Sequence, residues 1–169
     1  MNTTVRVLTT EDVPTLWTML MHAAHETSVE DVKSSPALAW YVQDWGQVGD
    51  MGVVAQQSID GRMNVLGAAW LRLCRQDTAV PCGYGYVAKE IPELAIAVLG
   101  EHRGQGIGTM LLTHLIELAQ TQFPGISLST RSNNPAVRLY ERLGFVRVAG
   151  TEIVNRTGST SYSMVKRFS

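Results

Sequence analysis

The stretch "ELAIAVLGEHRGQGIGTMLLTHLIELA", residues 93–119, constrains this chain more than any other. An apolar run ends, three glycines (Gly104, Gly106 and Gly108) fall within five residues, and an amphipathic run begins. Glycine is unfavourable inside a helix and inside a strand. Three of them between the two therefore mark a strand–turn–helix junction. The first N–H groups of a helix are unpaired and carry a partial positive charge, and phosphate is their usual guest. Glycines leave those amides bare, and Arg103 adds a cation in front of them. The plain alternative is a tight turn with a solvated arginine. The spacing G-x-G-x-G is not the dinucleotide-binding G-x-G-x-x-G, and no Gly-Lys-Ser/Thr follows.

The rest of the chain arranges itself around that junction. "TVRVLT" alternates and reads as a first strand. Thr9 and Asp12 have capping-box spacing, which predicts a helix over about 11–25 with Leu16, Trp17, Leu20 and Met21 as its apolar stripe. A shorter helix starts near Pro36. Asp60-Gly61 is a hairpin turn between two β-compatible runs in 52–74. Residues 74–92, with Pro81, Gly83, Gly85 and Pro92, read as a loop. The strand 93–100 and a helix over about 106–122 come next. "ISLSTR" is a strand, 135–143 a helix closed by Gly144, and "FVRVAG" and "SYSMVKRF" are final strands joined by a loop around 155–158. The order predicts an α/β fold with a mixed sheet.

A chain of 169 residues with 45% hydrophobic content fits one domain, 1–169, with a sizeable core. A formal net charge of -1 argues against a nucleic-acid binder but not against one local basic pocket for an anionic small molecule. The N-terminus lacks signal-peptide order, and no apolar run approaches a membrane span, so a soluble cytoplasmic protein is expected. Cys74 and Cys82 have neither zinc-site nor thioredoxin spacing. A disulfide is open to them, but two reduced thiols are the expectation for a cytosolic chain.

A second landmark follows the glycine junction by about thirty residues: "NNPAVRLYERLGF", 133–145. "RGQGIG" together with this segment resembles the GCN5-related N-acetyltransferase (GNAT) family, whose R/Q-x-x-G-x-G/A signature Arg103 to Gly108 match. The resemblance is close over about 93–145 and rests on element order elsewhere. It implies a GNAT-like mixed, mostly antiparallel central sheet flanked by about four helices, and a site for acetyl-CoA as co-substrate. In the family the pyrophosphate lies on the amides of the glycine loop, here Arg103, Gly104, Gln105, Gly106, Ile107 and Gly108. The pantetheine arm runs beside the preceding strand, pairing near Ala97 and Val98, and an asparagine at the position of Asn133 contacts the cofactor. Asn134, before Pro135, is a helix cap.

Acetyl transfer to an amine requires a base for the amine, polarisation of the thioester carbonyl and an acid for the departing thiolate. The family attacks directly, so no nucleophilic cysteine is needed. Tyr140 matches the family tyrosine near the coenzyme sulfur and is the candidate acid, although Ala136, Leu139, Tyr140 and Leu143 also form an apolar helix stripe. Glu93 is the candidate base. Alternation puts it on one strand face with Ala95 and Ala97, two small neighbours that leave room for a ligand. Glu90 and water alone are the alternatives, and a strand-end glutamate is also an ordinary solvated residue. His22, His25 and Glu26 lie where the family borders its acceptor pocket, though histidines at helix ends also serve the helix dipole.

The expected partner is a small-molecule primary amine. A protein lysine or N-terminal acetyltransferase, or a non-catalytic acyl-CoA-binding sensor, are the alternatives. Trp40, Tyr41, Trp45, Tyr84 and Tyr86 line an acceptor pocket, fill the core or join two copies as a homodimer. No motif names the acceptor.

Overall fold

The computed structural model describes residues 3–74, 82–154 and 158–168. Strand β1 (Thr3–Val7) leads into a short 3-10 turn (Thr10–Asp12) and helix α1 (Val13–Ala23). The capping box is present: the Thr9 side chain accepts from the Glu11 N–H, and the Asp12 carboxylate accepts from the Thr9 N–H at 2.8 Å. Asp12 also takes both arms of the Arg6 guanidinium, at 2.8 and 2.9 Å, which holds its carboxyl below the usual range. Helices α2 (Val29–Lys33) and α3 (Pro36–Ala39) follow. The sequence predicts α3 but not α2, whose five residues are too few to show a stripe and which is held by its Ser28 cap on the Asp31 N–H.

β2 (Met51–Ile59) and β3 (Arg62–Arg72) form the expected hairpin on Asp60-Gly61, whose φ angles of 51° and 77° suit a two-residue turn. Next come β4 (Glu93–Val98), α4 (Ile107–Ala119), β5 (Gly125–Arg131), α5 (Val137–Arg142), β6 (Val146–Arg147), β7 (Ile153–Val154) and β8 (Thr160–Arg167). Helix α4 ends at Ala119, short of Gln122, where the last turn tightens to an i→i−3 bond from the Gln122 N–H to Ala119 O at 3.0 Å. Pro81 and residues 155–157, placed in loops by the sequence, lie outside the described residues.

The eight-stranded sheet runs β1-β2-β3-β4-β5-β8-β6, with β7 also on β8. Every pairing is antiparallel except β4 with β5, which α4 connects. One face packs on α1–α3 through Leu16, Trp17, Leu20, Trp40 and Trp70, the other on α4 and α5 through Leu111, Leu112, Leu115 and Phe145. Burial of these side chains, at about 1.5–3 kcal/mol each, fixes the two layers against the sheet.

The cysteines correct an expectation. Cys74, at the end of β3, is joined to Cys82 in a disulfide with Cα atoms 5.5 Å apart, not held as a reduced thiol. Sequence spacing could not decide this, because the pairing depends on the path of the chain between them. Among the described residues no helix is long and apolar enough to cross a membrane.

Candidate active site

The site begins where β4 and β5 part. Their parallel register holds only at Glu93↔Ser127, supported by the Ser127 N–H on Pro92 O at 3.0 Å. β4 stays paired with β3 over its whole length, through Gly67↔Val98. Its β5-facing edge beyond Glu93 is therefore unpaired among the described residues, and buried backbone groups left so need another partner. The Leu99 N–H bonds to Leu66 O on β3 at 2.9 Å, so the carbonyl of the same planar peptide, Val98 O, points to the open edge. Arg103 Nε lies 3.3 Å from it.

Two cavities meet at this opening. The larger, about 650 Å³, lies over the glycine loop and is lined by Ala97, Val98, Arg103, Gly104, Gly106, Ile107, Gly108 and Asn133, all expected cofactor contacts. Gln105 is not on its wall; its side-chain nitrogen lies 3.5 Å from Glu101 O. Gly104 and Gly106 adopt φ of 77° and 80°, and a Cβ at either would meet no protein atom within 4 Å. Their glycine requirement is thus conformational, with open space in front. Gly106 is the N-cap of α4 and offers no side-chain cap, so the first amides of the helix face the cavity unoccluded. The Asn134 side chain accepts from the Ala136 N–H at 2.9 Å, the capping role expected of it.

The second cavity, about 340 Å³, is lined by Glu93, Ala95, Tyr41, Tyr84 and apolar side chains including Leu20 and Leu38. Glu93 is 3% exposed. Burial drives its carboxyl up to about 7, opposed by hydrogen bonds from the Tyr41 hydroxyl and the Gly85 N–H, the latter at 2.9 Å. The same Tyr41 hydroxyl accepts from the Tyr84 N–H at 3.0 Å. Glu93 Oε1 has no hydrogen-bond partner among the described residues. A Cβ at Gly83 would fall on that oxygen and, at 2.7 Å, on the Tyr41 hydroxyl, so only glycine lets the loop close over the pair. Glu90 does not line this cavity.

Tyr140 borders both cavities. Helix α5 buries its ring against Phe145 in an edge contact, centroids 6.0 Å apart. Burial pushes its phenol up to about 12, so the hydroxyl keeps its proton at neutral pH. Among the described residues that hydroxyl makes no hydrogen bond. His25 and Arg131 share the two walls with it. His25 is held below the usual histidine range by burial and by the nearby Arg131 and Arg103. Of the five aromatic residues left open by the sequence, Tyr41 and Tyr84 line the Glu93 cavity, Trp40 and Trp45 are core, and Tyr86 packs half-buried against that core. Sequence reasoning missed Arg131, which closes "ISLSTR"; the signal was a lone cation ending a strand beside the glycine junction.

A helix entrance bare of side chains, an unpaired strand edge and two cavities joined at a buried tyrosine define an acyl-CoA-dependent acyltransferase. Residues 17–145 match the acetyltransferase (GNAT) family, and the chain belongs to that family. No curated protein sequence matches it. Among solved structures it is similar to the yncA protein of Salmonella typhimurium with its cofactor acetyl-CoA (20% identity, 100% and 95% of the two chains covered, TM-score 0.70). It is also similar to the ribosomal-protein-S18-alanine N-acetyltransferase of Escherichia coli (22%, 99% and 95%, TM-score 0.64). The IAA acetyltransferase of Bacillus cereus is a third (20%, 99% and 100%, TM-score 0.66). Acetyl-CoA is the co-substrate of this family. The bare α4 amides, the free β4 edge and a cavity of about 650 Å³ fit it.

Proposed function

We propose that residues 1–169 form one acetyltransferase domain that acetylates the primary amine of a small molecule, with Tyr140 as acid and Glu93 as base. The observation that carries this is the position of Tyr140 between the glycine-loop cavity and the Glu93 cavity. A tyrosine there borders both the cofactor side and the acceptor side.

The amides from Arg103 to Gly108 would hold the pyrophosphate, the free edge at Val98 with Ala97 on the cavity wall the pantetheine arm, and Asn133 the loop-side rim. Bound acetyl-CoA supplies an activated acetyl carbonyl. Glu93, titrating near neutrality, takes the proton that the acceptor nitrogen loses, directly or through one water. As the C–N bond forms and the C–S bond breaks, Tyr140 gives its proton to sulfur, so the products are the N-acetyl amine and CoA as a thiol. The apolar walls around Glu93 exclude water from the reacting groups.

A cavity of about 340 Å³ is the size for one small molecule. Both titrating groups line the cavities, which favours an enzyme over a sensor. The test is CoA release from acetyl-CoA across a panel of small primary amines and unstructured peptides, with acetylated products identified by mass. Turnover with small amines is expected. Turnover with peptides alone would overturn the small-molecule reading, and CoA binding without turnover on any amine would favour a sensor.

A further inference from the structure

We propose that the acceptor is an α-amino carboxylate, a free apolar amino acid or a close analogue, whose carboxylate pairs with Arg131. This rests on the acetyltransferase reading of the same site.

Arg131 is partly buried, yet its guanidinium has no hydrogen bond or ion pair among the described residues. Only its backbone is engaged, its carbonyl accepting from the Asn134 N–H at 3.0 Å. A guanidinium carries five donors in a planar fork that matches a carboxylate, and partial burial strengthens that pairing. Ser127 is in register with Glu93, and strand alternation puts Arg131 on the same side of the sheet as Ser127 and Ser129. That side is opposite Ile126 and Leu128, which pack toward α4. It faces the end of α1, where His25 feels the Arg131 charge. Glu93 and Arg131 therefore stand on one face, at different levels of two diverging strands. A carboxylate acceptor leaves Glu93 free for the amine and gives Arg131 its counter-charge.

Arg131 borders both cavities, as Tyr140 does. An anion held there sits at the same junction that Tyr140 borders, which favours a short spacer between carboxylate and amine, as in an α-amino acid, over a longer ω-amino acid. The remaining wall on this face, Leu20, Leu38 and Ala95, is apolar and suits a hydrocarbon side chain. Phosphate oxygens of the cofactor are a poorer match. The glycine-loop cavity already offers Arg103, Arg142 and the α4 amides to them.

The test is calorimetric titration of leucine, methionine and phenylalanine, each beside its carboxamide and its decarboxylated amine, into the protein saturated with CoA. Binding reads the carboxylate contact without turnover. The free acids are expected to bind at least tenfold more tightly than the amides and amines. In Arg131→Gln that preference should vanish with CoA affinity unchanged, and Arg131→Lys should keep part of it. Equal affinity for acid and amide, no binding of any of the three acids, or an Arg131→Gln defect in CoA affinity instead would overturn the proposal. The same compounds are then assayed for acetylation. Acids that bind through Arg131 but are never acetylated would leave the contact standing and count against the acetyltransferase reading.

Discussion

The Tyr41 hydroxyl donates to Glu93 Oε2, joining a residue just past α3 to the first residue of β4 across 52 positions of sequence. That bond stabilises the ionised carboxylate and opposes the burial that raises it to about 7. A base must be ionised to accept a proton, so kcat/KM is expected to rise with pH through a midpoint near 7. Tyr41→Phe removes the bond, disfavours the carboxylate and should move that midpoint upward. A pH–rate profile of the two proteins checks this. A midpoint unmoved by the substitution would detach Tyr41 from the base.

Glu93 should also cost the fold stability at alkaline pH. Its folded pKa of about 7 lies above the ordinary 4.5, so stability from this group is full below about pH 4.5 and is lost as pH rises through 7. The loss approaches ~3 kcal/mol for a group this buried. Glu93→Gln, neutral at every pH, should therefore melt above the wild type at pH 8, with the gap closing towards pH 4.5. Thermal melts across that range read the effect. A gap independent of pH would mean that Glu93 is not the titrating group.

At the glycine loop, Gly106→Val introduces a branched side chain at φ 80° and in the path to the α4 amides. Gly61, at φ 77° in the hairpin turn and with nothing within 4 Å of its Cβ position, is the matched control. Both substitutions should cost about 1–2 kcal/mol of backbone strain. Only Gly106→Val should weaken CoA binding, by tenfold or more. Equal CoA affinity in the two variants would reduce the glycine loop to a turn.

The junction of β4 and α4 was legible in the sequence because its signal is local: glycines at φ 77° and 80° between an apolar strand and an amphipathic helix. The Thr9–Asp12 box and the Asp60-Gly61 turn were legible for the same reason. Glu93 and Tyr140 came from motif position and alternation, and both line the cavities. The partners of Glu93 were not legible, because Tyr41 and Gly85 reach it only once α3 and the loop fold against β4. Arg131 gained meaning only from the parting of β4 and β5 beyond Glu93↔Ser127. Helix α2 left no stripe in its five residues.

The disulfide has its own consequence. Cys74 and Cys82 bracket the approach to Gly83 and Gly85, whose backbone closes over Tyr41 and Glu93. Closing a loop across a separation of 8 residues stabilises by about 2–3 kcal/mol. Reduction, or Cys74→Ser with Cys82→Ser, should lower the melting temperature and raise the acceptor KM more than the acetyl-CoA KM. Thiol titration of the unreduced, denatured protein is expected to find no free thiol. Two free thiols there would restore the reduced pair.

Tyr140→Phe tests the central claim most directly. The substitution keeps the ring that packs on Phe145 and removes only the hydroxyl at the meeting point of the two cavities. With an acceptor from the amine panel, and with chemistry shown to limit the rate, kcat is expected to fall by roughly 10²-fold or more while CoA affinity stays within about twofold. A thiolate is a fair leaving group unaided, so the loss should lie toward the lower end of the general-acid range. An unchanged kcat would contradict the assignment of Tyr140 as the acid and return it to the core.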